Sequence, residues 1–250
     1  MIYLKSPREI EQMRDVNRVV VHVMNLLQEK IVAGVSTLDL DRLAEEAILK
    51  LHAKPAFKGY RGYAHTLCIS INEEVVHGIP SAKRVLRTGD VVSVDCGALK
   101  DGFYGDHAIT FAVGKVDNAS ERLLQVTREA LDLGIAEMWP GKRLFDISAA
   151  VQEHVEKNGF SVVRDFVGHG VGQNLHEEPQ LPNFGKRGTG LRLKPGLVLA
   201  IEPMVNVGTH EVETLNDGWT VVTKDRKRSA HFEHSVAITE KGPDVLSQHT

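Results

Sequence analysis

Two aspartates in one apolar stretch are the residues that could most plainly do chemistry. Residues 91–113 contain two β-branched runs separated by Leu99-Lys100-Asp101-Gly102, a sequence typical of a hairpin turn. Asp95 and Asp106 lie on opposite strands and share one face of the predicted hairpin. A turn centred on Lys100-Asp101 makes them direct partners, and one centred on Asp101-Gly102 makes them diagonal neighbours. Either a metal ion lies between these charges, or a bulge turns one aspartate to water.

The pattern around this hairpin occurs a second time in the chain. The segment Leu86–Asp95 matches Leu193–Glu202, and the same offset relates the regions around Gly34 and Gly141. The repeat pairs Asp95 with Glu202, Asp106 with Glu233 and His77 with His176. If the two halves pack about a pseudo-twofold axis, four carboxylates converge on one centre. They then need roughly two divalent cations, or several of them must be protonated.

His169 is the best candidate for an imidazole ligand, because Gly168 and Gly170 let its backbone approach a site closely. Oxygen-rich ligands with few imidazoles suit Mn, Fe, Co or Zn, and two such ions form a hydrolytic centre. A phosphate-binding loop is the competing interpretation of this glycine-rich segment. It is less favoured, since the G-x-G-x-x-G spacing is absent and no helical pattern follows.

Four helices and several short strands are predicted to position these residues. Ser6 and Pro7 begin the first helix, which Gly34 ends, and Ser36 or Thr37 caps the second. Ser120 is predicted to cap the third helix. The other elements predicted by apolar periodicity are a helix from Phe145 to Lys157 and strands at Leu67–Ile71, Val198–Ile201, Trp219–Thr223 and Ser235–Thr239.

Composition indicates an ordinary globular protein. The chain has 250 residues, 42% hydrophobic and 25% charged, and its net charge of −3 gives no sign of direct nucleic-acid or membrane binding. The basic cluster Lys224–Arg228 is predicted to be a solvated loop. Two cysteines are too few for a disulfide framework, and the N-terminus has no secretory pattern. We therefore expect a cytoplasmic protein.

Taken in order, the five proposed ligands resemble those of the type I methionine aminopeptidases over essentially the whole chain. Further matching motifs are Gly168-His169-Gly170, Ile201-Glu202-Pro203, Gly59-Tyr60-Arg61-Gly62-Tyr63, Cys68-Ile69-Ser70-Ile71-Asn72-Glu73, His77-Gly78-Ile79-Pro80 and His176-Glu177-Glu178-Pro179. The resemblance implies an α/β (α+β) pita-bread fold, with a central curved antiparallel sheet backed by helices. It also implies a single catalytic domain, 1–250, with pseudo-symmetric halves of roughly 1–117 and 118–250.

The same resemblance implies the role of each site residue. Asp95 ligates one metal, Asp106 and Glu233 bridge both, and His169 and Glu202 hold the other. Glu202, His77 and His176 are the implied catalytic residues. The implied substrate-binding residues are His77, His176, Tyr60, Tyr63, Cys68, Leu175 and Trp219. Leu175 departs from the family pattern, because many bacterial members have Phe there.

The implied activity is cotranslational removal of initiator methionine from nascent proteins with a small second residue. The implied partners are nascent N-termini and the ribosome, and the enzyme is expected to be a monomer. Two alternatives are a proline-specific aminopeptidase or dipeptidase of the same fold and a non-catalytic binding module. The chain lacks the N-terminal domain of the proline peptidases, and its intact ligand set argues against the module. Asn72 and Ser229 could hold a monovalent cation. We leave out of the site three histidines that flank ligand positions, two of them on the opposite strand face: His107, His231 and His234.

Overall fold

The helices begin where side chains satisfy their first backbone N–H groups. A computed structural model describes residues 2–249, whose helices are α1 (Pro7–Lys30), α2 (Thr37–Lys50), α3 (Asn118–Ala136) and α4 (Leu144–Lys157). Ser6 and Glu9 form a capping box at α1, and Ser36 caps α2. The cap predicted for α3 was wrong: Asp117 is the N-cap, and its carboxylate accepts a hydrogen bond from the Ser120 backbone N–H.

Short antiparallel strands make up the rest of the fold. They are β1 (Lys54–Pro55), β2 (Leu67–Ile71), β3 (Glu74–Val76), β4 (Val91–Lys100), β5 (Phe103–Ala112), β6 (Ser161–Val162), β7 (Val167–Gly170), β8 (Glu177–Pro182), β9 (Val198–Ile201), β10 (Met204–Asn206), β11 (Val212–Thr214), β12 (Val221–Thr223), β13 (Ser229–His231), β14 (His234–Thr239) and β15 (Gly242–Val245). Trp219 lies outside β12, because the Trp219 and Thr220 N–H groups donate to the Asp217 carboxylate in a turn.

Two sheets meet at the middle of the molecule. In the first, β4 pairs with β5 on one side and with β1 and β2 on the other; the second has the order β15-β14-β9-β7-β8. Helices α1 and α2 pack against the first sheet in one apolar core, and α3 and α4 pack with β9 and β14 in another. Among residues 2–249, none of the helices combines the length and apolar character that a membrane span requires.

The hairpin β4–β5 adopts the second of the two predicted registers. Asp101 and Gly102 both have positive φ, 49° and 82°, as the two-residue turn that suits twisted strands requires. Asp95 therefore pairs with Ala108, and Asp106 pairs with Gly97. The two carboxylates are diagonal neighbours on one face of the hairpin.

Hydrogen bonds join β5 to residues 231–235, the segment that carries Glu233. The Glu233 N–H donates to Ala108 O at 2.9 Å. The Ser235 hydroxyl accepts from the Asp106 N–H and donates to its carbonyl at 2.8 Å. Thr110 Oγ1 similarly donates to His231 O and accepts from its N–H. These bonds hold Asp106 on β5 beside Glu233.

Candidate metal centre and substrate cavity

The five proposed ligands lie at one point where the two sheets meet. Asp95 and Asp106 come from β4 and β5, and His169 comes from β7. Glu202 follows β9 directly, and Glu233 directly precedes β14. His169 Nε2 lies 3.6 Å from Glu202 Oε1 and 3.9 Å from Asp106 Oδ2. Asp106, His169 and Glu233 offer ligand atoms that all lie within 4.8 Å of one another.

The donor atoms of this cluster fit a divalent metal. Asp95 Oδ1, Asp106 Oδ1 and Glu233 Oε1 are enclosed and make no hydrogen bond within the protein. His169 Nδ1 lies 2.9 Å from Gly170 O, and a carbonyl can only accept, so the proton lies on Nδ1. Nε2 then presents a lone pair to the carboxylates, which is the usual arrangement of a metal-binding imidazole.

The cluster is electrostatically costly as a group of bare carboxylates. Burial raises the pKa of Asp95 to about 7. Burial, together with repulsion from neighbouring carboxylates, raises the pKa values of Asp106 and Glu233 well above their usual range. A divalent cation removes both penalties, because it favours the ionised form of every carboxylate that faces it.

A cavity of about 410 Å³ opens onto these residues and is lined by all twelve residues predicted for the site. Its apolar wall contains Tyr63, Cys68 and Leu175, which are buried together. The Tyr63 hydroxyl donates to Leu67 O at 2.8 Å, so this hydroxyl has a hydrogen-bond partner within the protein and needs none from a ligand. The Trp219 ring meets that of Tyr63 edge to face, with centroids 5.0 Å apart. A long apolar side chain fits such a wall.

Two neutral histidines, His77 and His176, line the cavity beside the carboxylate cluster. The His176 ring centroid lies 4.3 Å from that of His169, and burial lowers the pKa of His176 to about 4. His176 Nδ1 lies 2.9 Å from the Tyr60 hydroxyl, so Tyr60 orients this imidazole as well as lining the cavity. His77 contacts the ring edges of Phe166 and Trp219, and burial lowers its pKa as well.

His231, which the sequence analysis left out of the site, lies beside Glu202 in the cavity. It lines the cavity and is 2% exposed, and its Nε2 lies 3.5 Å from Glu202 Oε2 with no hydrogen-bond partner. The sequence held a signal, because His231 precedes Glu233 by two positions and alternation places such residues on one face. Phe57 and Phe166 also line the cavity, although no local pattern indicated them.

The site has the features of a metal-dependent hydrolase. It combines buried carboxylates with an imidazole whose free nitrogen faces them, and an apolar cavity adjoins this cluster. The chain matches the model of metallopeptidase family M24 over residues 11–240. It is 52% identical over 248 residues to methionine aminopeptidase 1 of Bacillus subtilis, covering 99% of this chain and 100% of that one. The methionine aminopeptidase of Thermotoga maritima has a similar structure, with a TM-score of 0.98, 49% identity and full coverage of both chains. The chain therefore belongs to family M24 and, within it, to the methionine aminopeptidases.

A more distant structure shares the fold alone. The prolidase of Pyrococcus furiosus superposes with a TM-score of 0.80 at 23% identity, covering 99% of this chain and 66% of that one. The predicted pita-bread fold and the resemblance to the type I enzymes are confirmed by these comparisons.

Proposed function

We propose that this chain removes initiator methionine from nascent proteins whose second residue is small. The observation that carries the proposal is the apolar cavity that opens directly onto the buried carboxylate cluster. An unbranched thioether suits a wall of aromatic rings and a thiol. A small second side chain suits the space beside His77 and His176, which line the same cavity.

Two divalent ions account for the number of carboxylates at the centre. Asp95 would hold one ion, and the other would be held by His169 and Glu202. Asp106 and Glu233 would contribute to both ions. Mn, Fe, Co or Zn all suit this oxygen-rich set. When bound, the ions supply Lewis-acid polarisation of the scissile carbonyl and activation of water.

A monovalent cation would be held by Asn72 and Ser229. The Ser229 N–H donates to Asn72 O at 2.9 Å, so the two residues lie side by side.

Glu202 is the residue best placed to move the proton. Its two carboxylate oxygens face different imidazoles, His169 and His231, and its side chain borders the cavity. Glu202 would accept a proton from the attacking water and pass it to the leaving amine. The Tyr60 hydroxyl would donate to His176 Nδ1, which leaves the proton of the neutral ring on Nε2, and from there His176 would donate a hydrogen bond to the scissile amide. His77 would contact the leaving side.

We further propose that the enzyme acts as a cytoplasmic monomer on nascent chains and that it contacts the ribosome. The relatives' activity supports the nascent N-terminus as the substrate. The net charge of −3 supports substrate recognition by the cavity rather than by a basic surface.

Peptide cleavage in the presence of Mn²⁺ or Co²⁺ tests the proposal. Met-Ala-Ser should be cleaved efficiently and norleucine-Ala-Ser nearly as well, since a hydrophobic pocket discriminates by about 1–3 kcal/mol per methylene. Lys-Ala-Ser and Met-Leu-Ser should be poor substrates. Equal cleavage of Lys-Ala-Ser and Met-Ala-Ser would overturn the assignment of the cavity. Preferential cleavage of Ala-Pro would instead identify a proline-specific peptidase.

A further inference from the structure

Three histidines lie behind the metal centre, on the face of the sheet opposite the substrate cavity. We name His107, His234 and His249 the rear histidine cluster. His107 follows Asp106 and His234 follows Glu233, so both side chains alternate to the rear face. Their rings stack with centroids 4.6 Å apart and planes 10° from parallel. All three line a second cavity of about 550 Å³, which α1 and α3 flank.

The C-terminal segment 246–249 supplies the third histidine and binds both halves of the molecule. The Leu246 N–H donates to Ser235 O at 2.9 Å. The Ser247 hydroxyl accepts from the Ser235 N–H and lies 2.8 Å from His234 Nδ1. His249 Nε2 lies 2.8 Å from His107 Nε2, and His249 Nδ1 lies 2.7 Å from Asn25 Oδ1 on α1. The segment therefore links α1, β5 and β14.

One carbonyl group fixes the position of a proton on the His107 ring. His107 Nδ1 is hydrogen-bonded to the backbone carbonyl of Glu233, and a carbonyl can only accept. Nδ1 therefore carries the proton. The Nε2 atoms of the two rings lie 2.8 Å apart, so one of them carries the proton that joins His249 to His107.

One oxygen of the Glu233 carboxylate has no hydrogen bond within the protein, so the backbone of Glu233 fixes the position of the carboxylate. The Glu233 N–H donates to Ala108 O, and the Glu233 carbonyl accepts from His107 Nδ1. Asp106, directly before His107, has an unpartnered oxygen as well. A shift of the His107 ring would move both carboxylates relative to each other.

We propose that His249 is a positioning residue of the metal centre, acting through the His107 imidazole on the backbone of Glu233. This inference rests on the proposed role of Glu233 as a metal ligand. Residues that orient metal ligands typically change metal affinity by about 10–100-fold when replaced. His249 acts one hydrogen bond further out, so we expect a change near the lower end of that range.

Cobalt titration of chelator-stripped protein, followed by visible absorbance, measures the effect. His249→Phe retains a ring but cannot form the hydrogen bond to His107, and we expect its Co²⁺ affinity to fall about tenfold. His249→Gln keeps a side chain that can donate or accept a hydrogen bond, and its affinity should stay within about threefold of the wild type. His22→Phe is the matched control, because His22 is an exposed histidine on α1, and its affinity should be unchanged.

A double-mutant cycle separates this linkage from general destabilisation. His107→Asn keeps a donor for the Glu233 carbonyl but has no counterpart of Nε2. In that background, His249→Phe should lower Co²⁺ affinity by less than about twofold. An undiminished tenfold loss there would show that His249 does not act through His107.

Nitrogen-15 NMR of the histidine rings tests the proton assignment in the wild type. We expect a proton on Nδ1 of His107, and a His107 ring without a proton on Nδ1 would overturn the inference. If wild type and His249→Phe bind Co²⁺ equally, the inference fails and the proposed function stands. If the wild type binds no Co²⁺, the proposed function itself fails.

Discussion

Removal of the metal ions should leave protons on the carboxylates of the centre. Burial raises the pKa of Asp95 from 3.8 to about 7, and this difference corresponds to roughly 4 kcal/mol against its ionised form. At pH 7, Asp95 of the stripped protein is therefore about half protonated. The pKa values of the Asp106 and Glu233 carboxyls are also raised, by burial and by repulsion from neighbouring carboxylates, so these groups should retain protons as well.

Metal binding at pH 7 should consequently release protons. Since each released proton makes affinity rise about tenfold per pH unit, affinity should increase by roughly 10–100-fold between pH 6 and pH 7. The sign follows from competition, because a metal displaces protons that a higher pH has already removed. For the same reason, the stabilisation that the metal provides should be larger at pH 8 than at pH 5.

Calorimetric titration with Mn²⁺ in two buffers of different ionisation enthalpy gives the number of protons released. Asp101→Asn is the matched control, because it removes an exposed carboxylate from the same hairpin at a turn position that Asn tolerates. The control should release as many protons as the wild type. Release of fewer than about 0.3 protons at pH 7, with affinity independent of pH, would refute the electrostatic reasoning.

Four substitutions test individual side chains. Glu202→Gln should lower kcat by about 10²–10⁴-fold with metal still bound, and near wild-type turnover would remove Glu202 from proton transfer. Tyr60→Phe deletes the 2.9 Å hydrogen bond to His176, so kcat should fall about tenfold with little change in KM; a change confined to KM would contradict this role. His231→Leu should lower kcat about tenfold while His231→Gln retains activity, and equal loss in both would indicate a packing role. Leu175→Phe should raise the ratio of kcat/KM for Met-Ala over Leu-Ala, and an unchanged ratio would exclude this wall from selectivity.

Local chemistry made much of the fold predictable. The capping box at Ser6 and the cap at Ser36 follow from hydrogen bonds between residues three positions apart. The cap of α3 was misplaced because Ser120 and Asp117 both suit the position, and only the backbone conformation distinguishes them. The hairpin likewise had two acceptable registers, and the positive φ of Asp101 and Gly102 selects one.

The residue types at the centre were determined by the sequence itself. A carboxylate in an apolar strand is costly to bury alone, so its repetition at matching positions in both halves indicates a shared cation. The expectation needs only local periodicity and the internal repeat. The same reasoning could have included His231, which lies at a spacing of two from Glu233.

Tertiary structure alone decided which side chains support that centre. Tyr60 meets His176, His107 meets His249, and Asn25 meets His249, each across more than a hundred residues. Periodicity encodes the face on which a side chain lies, and it carries no information about which distant residue will face it. These partners are specified only when the sheets and helices of both halves have packed, because hydrogen bonds of this kind depend on placement to within a few tenths of an ångström.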